Sequence, residues 1–331
     1  MPHITDYEHG ISAIDSGFGR PQLAAIHLIA EGDHAALVDT GSNASLPLVM
    51  QALKAKGLTP AQVEYVILTH IHLDHAGGAG ALMQALPNAR LTVHPRGARH
   101  MVDPARLVAG TIAVYGEAQA RRMYGDILPI PADRIVETPE GATIRLGERA
   151  LTFLDTPGHA RHHVCIRDDR SGHVFAGDMF GLSYRELDVD GRQFAFPTTT
   201  PVQFEPAAMH ASIDRLLALQ PEAIYVTHFG QVRDVPRLGA DLHRLIDAHV
   251  AAALRHRNAG AGRHERIKAD LTAILLDEAR RHGWRMALDG LLRLMAADVE
   301  LNAQGLGAAD DVRAALRARP APQAFAERAL R

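Results

Sequence analysis

Val66-Ile67-Leu68-Thr69-His70-Ile71-His72-Leu73-Asp74-His75-Ala76-Gly77-Gly78 is the stretch that decides how this chain is read. It begins apolar and β-branched, which predicts the end of a buried strand. It then turns polar at once: three histidines and an aspartate fall within six residues, and two glycines follow. A strand ending in such a cluster sets several imidazoles and a carboxylate at one sheet edge, a donor set that suits zinc, iron or manganese. His70 and His72 are two apart, so an extended backbone sends both to one face. Asp74 and His75 follow after the chain has turned and can aim at a different point, so one short segment can feed two adjacent metal positions. With 20 histidines in the chain, most are not ligands. The H-x-H-x-D-H spacing separates this run from that background.

Composition sets the frame around it. A chain of 331 residues is long enough for one large domain and a smaller one. Apolar content of 47% and charged content of 22% are ordinary for a globular protein. A net charge of −3 argues against a non-specific nucleic-acid binder. The single cysteine, Cys165, excludes an intrachain disulfide framework and sits in an apolar run that reads as a buried strand. The N-terminus lacks a basic start and an apolar core, so it does not read as a signal peptide. No stretch approaches the ~20 apolar residues a membrane helix needs. The expectation is a cytoplasmic protein with a small-molecule substrate, no nucleic-acid partner and no membrane contact.

Outward from the decisive stretch, apolar runs at 23–30 and 35–38 predict two strands joined by a turn at 31–33. The second ends in Asp39-Thr40-Gly41, where the aspartate can cap the strand end or close a turn. Residues 45–56 have the spacing of a helix, with Pro47 in its first turn and Gly57 closing it. A strand is predicted over 63–69, a helix over 80–86 and a strand over 91–94. Residues 95–130 are basic and partly helical, and read as a solvated face. Short strands follow at 135–136, 142–146 and 150–154. Asp155-Thr156-Pro157-Gly158 then makes a tight turn directly before His159. The strand ending at Asp178 is preceded by Gly177, which lets the backbone pass close to other groups. Residues 223–230 repeat the design, an apolar strand with His228 at its end. Helices on both sides of strands whose ends carry these groups indicate a layered α/β domain. Past Pro236 the chain reads as amphipathic helices over 238–257, 267–282 and 286–301, with a fourth over 310–319.

Thr69 to Gly78 resembles the signature of the metallo-β-lactamase superfamily, and Asp39, His159, Asp178 and His228 match its further motifs in order, so the resemblance covers about residues 20–232. It implies a four-layer αββα sandwich over 1–235 with an appended helical region over 236–331. It also implies a centre of two divalent metal ions, zinc foremost with iron or manganese as alternatives. His70, His72 and His159 would hold one ion; Asp74, His75 and His228 would hold the other; Asp178 would be shared. Asp39 would support the histidines from behind, and His162 or His163 would do so at most. The glyoxalase II and lactonase-like branch of the family further implies hydrolysis of an ester, thioester, lactone or lactam, with Asp74 orienting the attacking water. Tyr184, six residues past Asp178, would hold the substrate carbonyl, and Arg185 and Arg192 offer a contact for a carboxylate. The C-terminal helices would cover apolar surface, line the substrate entrance or form a homodimer contact. Three other readings remain on the same fold: an oxidoreductase like the persulfide dioxygenases with one iron on His70, His159 and Asp178; a nuclease, against which the charge balance argues; and a ligand sensor without catalysis.

Overall fold

The computed structural model describes residues 2–200 and 203–308. Four strands open the chain: β1 (Ile4–Asp6), β2 (Ile11–Asp15), β3 (Ala25–Glu31) and β4 (His34–Val38). Helix α1 (Leu46–Ala55), strand β5 (Val63–Ile67), the single-turn helix α2 (Leu73–Ala76), α3 (Ala79–Ala85) and β6 (Arg90–Val93) follow. Three helices come next, α4 (Pro95–Val102), α5 (Ala105–Tyr115) and α6 (Glu117–Tyr124), and then β7 (Ile135–Glu137). These seven strands form one sheet in sequence order, antiparallel from β1 to β4 and parallel from β4 to β7.

The second sheet is built from β8 (Thr143–Leu146), β9 (Arg149–Asp155), β10 (Val164–Asp168) and β11 (Val174–Gly177), then, after helix α7 (Pro206–Ala218), from β12 (Ile224–Val226) and β13 (Gly230–Val232). Helices α8 (Val235–Arg255), α9 (Arg263–His282) and α10 (Leu288–Ala308) complete the described chain. The helix expected over 310–319 lies outside the described residues.

Strand alternation explains the layering. In β4, Ala36 and Val38 face the second sheet, where they meet Ile144, Phe153, Ile166 and Phe175. Ala35 and Leu37 face the other way, onto Val49 and Leu53 of α1 and Leu82 of α3. In β10 the same rule sends Val164 and Ile166 between the sheets and Cys165 toward the outer helices. The result is the expected αββα sandwich. Cys165 is buried, and burial pushes its thiol up to about 12, so it is packed as an apolar residue and not as a nucleophile.

Helices α8 to α10 are not set apart from this core. Leu242, Ile246, Leu271, Met295 and Leu306 share one cluster with Val174, Ile224 and Val226 of the second sheet. Asn302 of α10 accepts from the Thr199 backbone N–H at 2.6 Å and donates to the Pro197 carbonyl at 3.3 Å, fixing the last helix to the loop before α7.

Candidate metal centre

Strand β5 ends two residues earlier than its apolar pattern predicts, and the reason is a side chain. The Thr69 backbone N–H donates to Asp39 Oδ1 at 2.9 Å instead of continuing the ladder. Asp39 itself sits at φ 60°, the left-handed region, and is fully buried. Beyond Thr69 the backbone leaves the sheet, so His70 and His72 are not on an extended strand. His72 instead precedes the single turn of α2, and that turn carries Asp74 and His75. The two imidazoles still meet: His70 Nε2 lies 2.9 Å from His72 Nδ1.

The second sheet supplies the other groups from its strand ends. Gly158 backs onto Met209, whose backbone would lie 2.4 Å from any Cβ there, and the tight turn places His159 Nε2 3.0 Å from His72 Nδ1. Gly177 has φ 49°, and a Cβ would come within 2.8 Å of Thr69 and His163, so only glycine lets β11 deliver Asp178 at this point. Asp178 Oδ2 is 3.4 Å from His159 Nε2, while Oδ1 is 3.2 Å from His75 Nε2 and 3.6 Å from His228 Nε2. Asp74 Oδ2 is 3.3 Å from His228 Nε2. All seven residues singled out from the sequence are thus brought together. They fall into overlapping groups whose donor atoms lie within 4.8 Å of one another: His70, His72 and His159; His70, His75 and Asp178; Asp74, His75 and His228.

The far nitrogen of most of these imidazoles is held by a fixed acceptor, which sets the tautomer. His75 Nδ1 donates to Asp39 Oδ2 at 2.7 Å. His228 Nδ1 donates to the Leu23 carbonyl at 2.6 Å, and His159 Nδ1 faces the Thr198 carbonyl at 3.4 Å. In its neutral form each ring therefore turns an unprotonated Nε2 inward. His163 is not among the converging groups; its Nε2 accepts from the Asp178 backbone N–H at 3.3 Å and steadies that residue from behind.

The donor set fits divalent cations on two observations. His75 Nε2 and Asp178 Oδ1 are buried and have no hydrogen-bond partner within the protein, which leaves two strong polar atoms for an ion to satisfy. The charges are also arranged for one. Burial, reinforced by the neighbouring imidazoles, holds His70 well below its ordinary value, and burial with His159 brings His72 down to about 3, so both are neutral donors. Burial pushes Asp178 up, but His75 and His228 outweigh it and hold the carboxyl well below the usual range. Conversely, burial lowers His75, and Asp178, Asp74 and Asp39 overcome it to hold the ring well above its ordinary value. A bound dication would take the place of that proton.

Around this cluster, sequence reasoning meets its limits. Tyr184 is buried, and its hydroxyl donates to Asp298 Oδ1 of α10 at 3.0 Å, a partner 114 residues away with no local signal. Arg20 lies over the Tyr184 ring, 4.4 Å from its centroid. Arg185 is committed to Ser183, Asp188 and Gln231, and Arg192 is exposed, so neither guanidinium is set toward the cluster. In the basic stretch, Arg99, Arg121 and Arg122 are exposed, as a solvated face requires. The same stretch, however, folds Tyr124 onto Phe18 and Leu73. A cleft of about 240 Å³ opens there, lined by Leu73, Val108, Ile112, Tyr124 and Ile127. Leu73 lies between His72 and Asp74, so the cleft abuts the cluster.

Comparisons with known proteins agree with this architecture. A family model described as the metallo-beta-lactamase superfamily matches residues 19–228. A metallo-beta-lactamase fold-containing protein of Sulfurisphaera tokodaii, ST1585, is 25% identical over 222 residues, covering 64% of this chain and 75% of that protein. Its crystal structure superposes with a TM-score of 0.62 at 20% identity, covering 90% of this chain and 98% of that one. A hydroxyacylglutathione hydrolase of Cupriavidus metallidurans is 31% identical over 209 residues, which span 61% of this chain and 62% of that enzyme.

Proposed function

This chain belongs to the metallo-beta-lactamase superfamily, and we propose that it is a metal-dependent hydrolase with a dinuclear centre, acting on an ester, thioester, lactone or lactam. The observation that carries the proposal is the convergence of seven donors, with His75 Nε2 and Asp178 Oδ1 buried among them and without a hydrogen bond. His70, His72 and His159 would hold one divalent ion and Asp74, His75 and His228 the other. Asp178 would be shared, since its two oxygens face opposite groups. Zinc suits this nitrogen-rich set best. Bound there, the ions would lower the pKa of water toward ~7 and stabilise the negative charge that develops on the substrate oxygen.

The protein's own groups supply the rest. Asp74 has 24% of its side chain exposed against 7% for Asp178, so it is the carboxylate that can meet an incoming water and orient it. Water attacks the acyl carbon, the bond to the leaving oxygen, sulfur or nitrogen breaks, and the leaving group takes up a proton. The cleft beside Leu73, lined by apolar side chains together with Thr111, Arg121 and Asp126, would hold the body of the acyl substrate. The relationship to hydroxyacylglutathione hydrolases supports thioesters as the first class to try.

The test is turnover of a thioester and lactone panel under anaerobic conditions, alongside elemental analysis. The expected result is close to two metal ions per chain, activity without oxygen, and loss of activity on chelation that zinc or manganese reverses. Strict oxygen dependence with one iron per chain would overturn the proposal in favour of a dioxygenase on His70, His159 and Asp178.

A further inference from the structure

The loop between β2 and β3 and the last described helix, α10, meet beside His228. Backbone pairing sets the place: the Ser183 N–H donates to the His228 carbonyl, and the Phe229 N–H donates to the Ser183 carbonyl at 3.2 Å. Tyr184, next in the chain, is therefore held against the segment that carries the ligand. Its hydroxyl donates to Asp298 Oδ1 at 3.0 Å, which brings a carboxylate of α10 to the same place, one hydrogen bond beyond Tyr184. Arg20 of the loop lies over the Tyr184 ring and gives Nη1 to Glu186 at 2.6 Å. Three residues further on, the Leu23 carbonyl of the same loop holds His228 Nδ1.

Asp298 differs from the other carboxylates of this wall. Glu186 has Arg20, and Asp188 has Arg185. Asp298 forms no ion pair, and the Tyr184 hydroxyl is its one hydrogen-bond donor among the described residues. Its second oxygen is neither bonded nor sealed in, and the side chain keeps partial contact with solvent. Burial pushes the carboxyl up to about 6, against the opposing pull of Tyr184, His228 and Arg20, so the group is ionised at neutral pH. One guanidinium against two carboxylates, Glu186 and Asp298, leaves the wall with one net negative charge. A charge enclosed without a counter-charge costs folding free energy, and Tyr184 does not require it, since a neutral amide oxygen would accept the same hydrogen bond. The carboxylate also shares its outlook with the centre. Burial, with the charges of Asp74 and Asp298 added, raises the half-buried Tyr115 hydroxyl of α5 to about 12, so Asp74 and Asp298 both act on one tyrosine across from them.

We propose that Asp298 is a specificity-determining residue that meets the substrate with its open oxygen and selects acyl compounds carrying an ammonium group over neutral and anionic ones. The inference rests on the hydrolase reading above and adds to it the charge of the substrate. It also gives α10 a part in the site: the helix that Asn302 fastens to the loop before α7 delivers the one side chain of this wall whose charge is left for a ligand. A carboxylate on the substrate finds no counterpart here, because Arg20 is held by Glu186 and Arg185 by Ser183 and Asp188.

The experiment uses the full chain loaded with zinc and three thiols of equal arm length: cysteamine, propanethiol and mercaptopropionate. Their sulfur binds the metal, and their arms end in an ammonium, a methyl and a carboxylate. Titration calorimetry gives the affinities. The parent is expected to bind cysteamine about tenfold more tightly than propanethiol, the scale of one opposite charge nearby in a partly solvated crevice. Asp298→Asn should remove that preference and improve mercaptopropionate relative to propanethiol. Tyr184→Phe, which deletes the hydrogen bond and keeps the carboxylate, should preserve the parent's order. A ratio of cysteamine to propanethiol affinity that Asp298→Asn leaves unchanged overturns the proposal. Should that variant not fold, the parent decides, and propanethiol bound as tightly as cysteamine overturns it. Thiol binding needs no turnover, so the two readings fail separately. The expected order without hydrolysis of any acyl substrate refutes the hydrolase alone, and hydrolysis without the order refutes the role of Asp298 alone.

Discussion

Asp39→Asn tests the reading of the centre through a residue that touches no metal. Asp39 is fully buried and accepts four groups at once: the Thr69 backbone N–H at 2.9 Å, the Thr69 hydroxyl, the Thr227 hydroxyl at 2.7 Å and His75 Nδ1 at 2.7 Å. The substituted amide has the same shape but one acceptor oxygen and a donating NH2. The oxygen is needed by the Thr69 N–H, which has no alternative, and the hydroxyls can rotate to accept. His75 cannot rotate, because its ring is enclosed. It must accept at Nδ1, which moves its hydrogen to Nε2, the atom that faces Asp178 at 3.2 Å and would bind the second ion. Loss of an orienting partner of this kind costs about 10- to 100-fold in metal affinity, or about 1.4–2.8 kcal/mol at 1.4 kcal/mol per decade. The expected outcome is a selective weakening of the ion held by His75, with the ion on His70, His72 and His159 retained more tightly. Competition against a chromophoric chelator, which resolves the two ions as successive steps, measures it. Both affinities within twofold of the parent in a folded variant would refute the tautomer argument.

Three further outcomes are expected. Tyr184→Phe should slow turnover by about tenfold, less than the 10²–10³ of a dedicated oxyanion donor, because the Tyr184 hydroxyl gives its proton to Asp298. Asp298→Asn should have a similar effect, and a hundredfold loss confined to Tyr184→Phe would restore a direct contact with the substrate carbonyl. Burial lowers His249 of α8 to about 4. The unfolded chain therefore binds more protons as pH falls below ~6.5, and the stability from the neutral ring is lost progressively toward pH 4. His249→Leu should flatten the fall of Tm over that window, and parallel curves would contradict it. Truncation after residue 235 strips Leu242, Ile246, Leu271 and Met295 from a cluster shared with the second sheet, and should give insoluble protein. A soluble fragment with the parent's Tm would show the helices to be an independent appendage.

The converging donors were legible because each motif is local: an apolar strand, a turn residue and a donor within a few positions, as in Gly177-Asp178 or Gly158-His159. The layered fold followed from the same strands. What was not legible depends on residues that meet only after folding. The early end of β5 is caused by Asp39, 30 residues before Thr69. The Tyr184 hydroxyl meets Asp298 of α10, 114 residues further on. Helix α7 is different: Met209, Ile213 and Leu216 fall at i, i+4 and i+7, a helical face legible in the sequence, and that face packs on the second sheet. Phe18 and Tyr124 stack with ring centroids 5.5 Å apart across more than 100 residues of chain, a contact that no periodicity encodes.

The division of the donors between two sheets bears on how the protein is made. His70, His72, Asp74 and His75 belong to the first sheet's loops, while His159, Asp178 and His228 come from the second, and His228 lies 158 positions after His70. At 5–20 residues per second that interval is on the order of ten to thirty seconds of synthesis. Throughout it the nascent chain displays a cluster of imidazoles and carboxylates able to seize whatever cation is at hand, while the groups that enclose and discriminate are still untranslated. Under the proposed function, which metal the finished protein carries would then depend on the ions available around the ribosome, as well as on the finished cage.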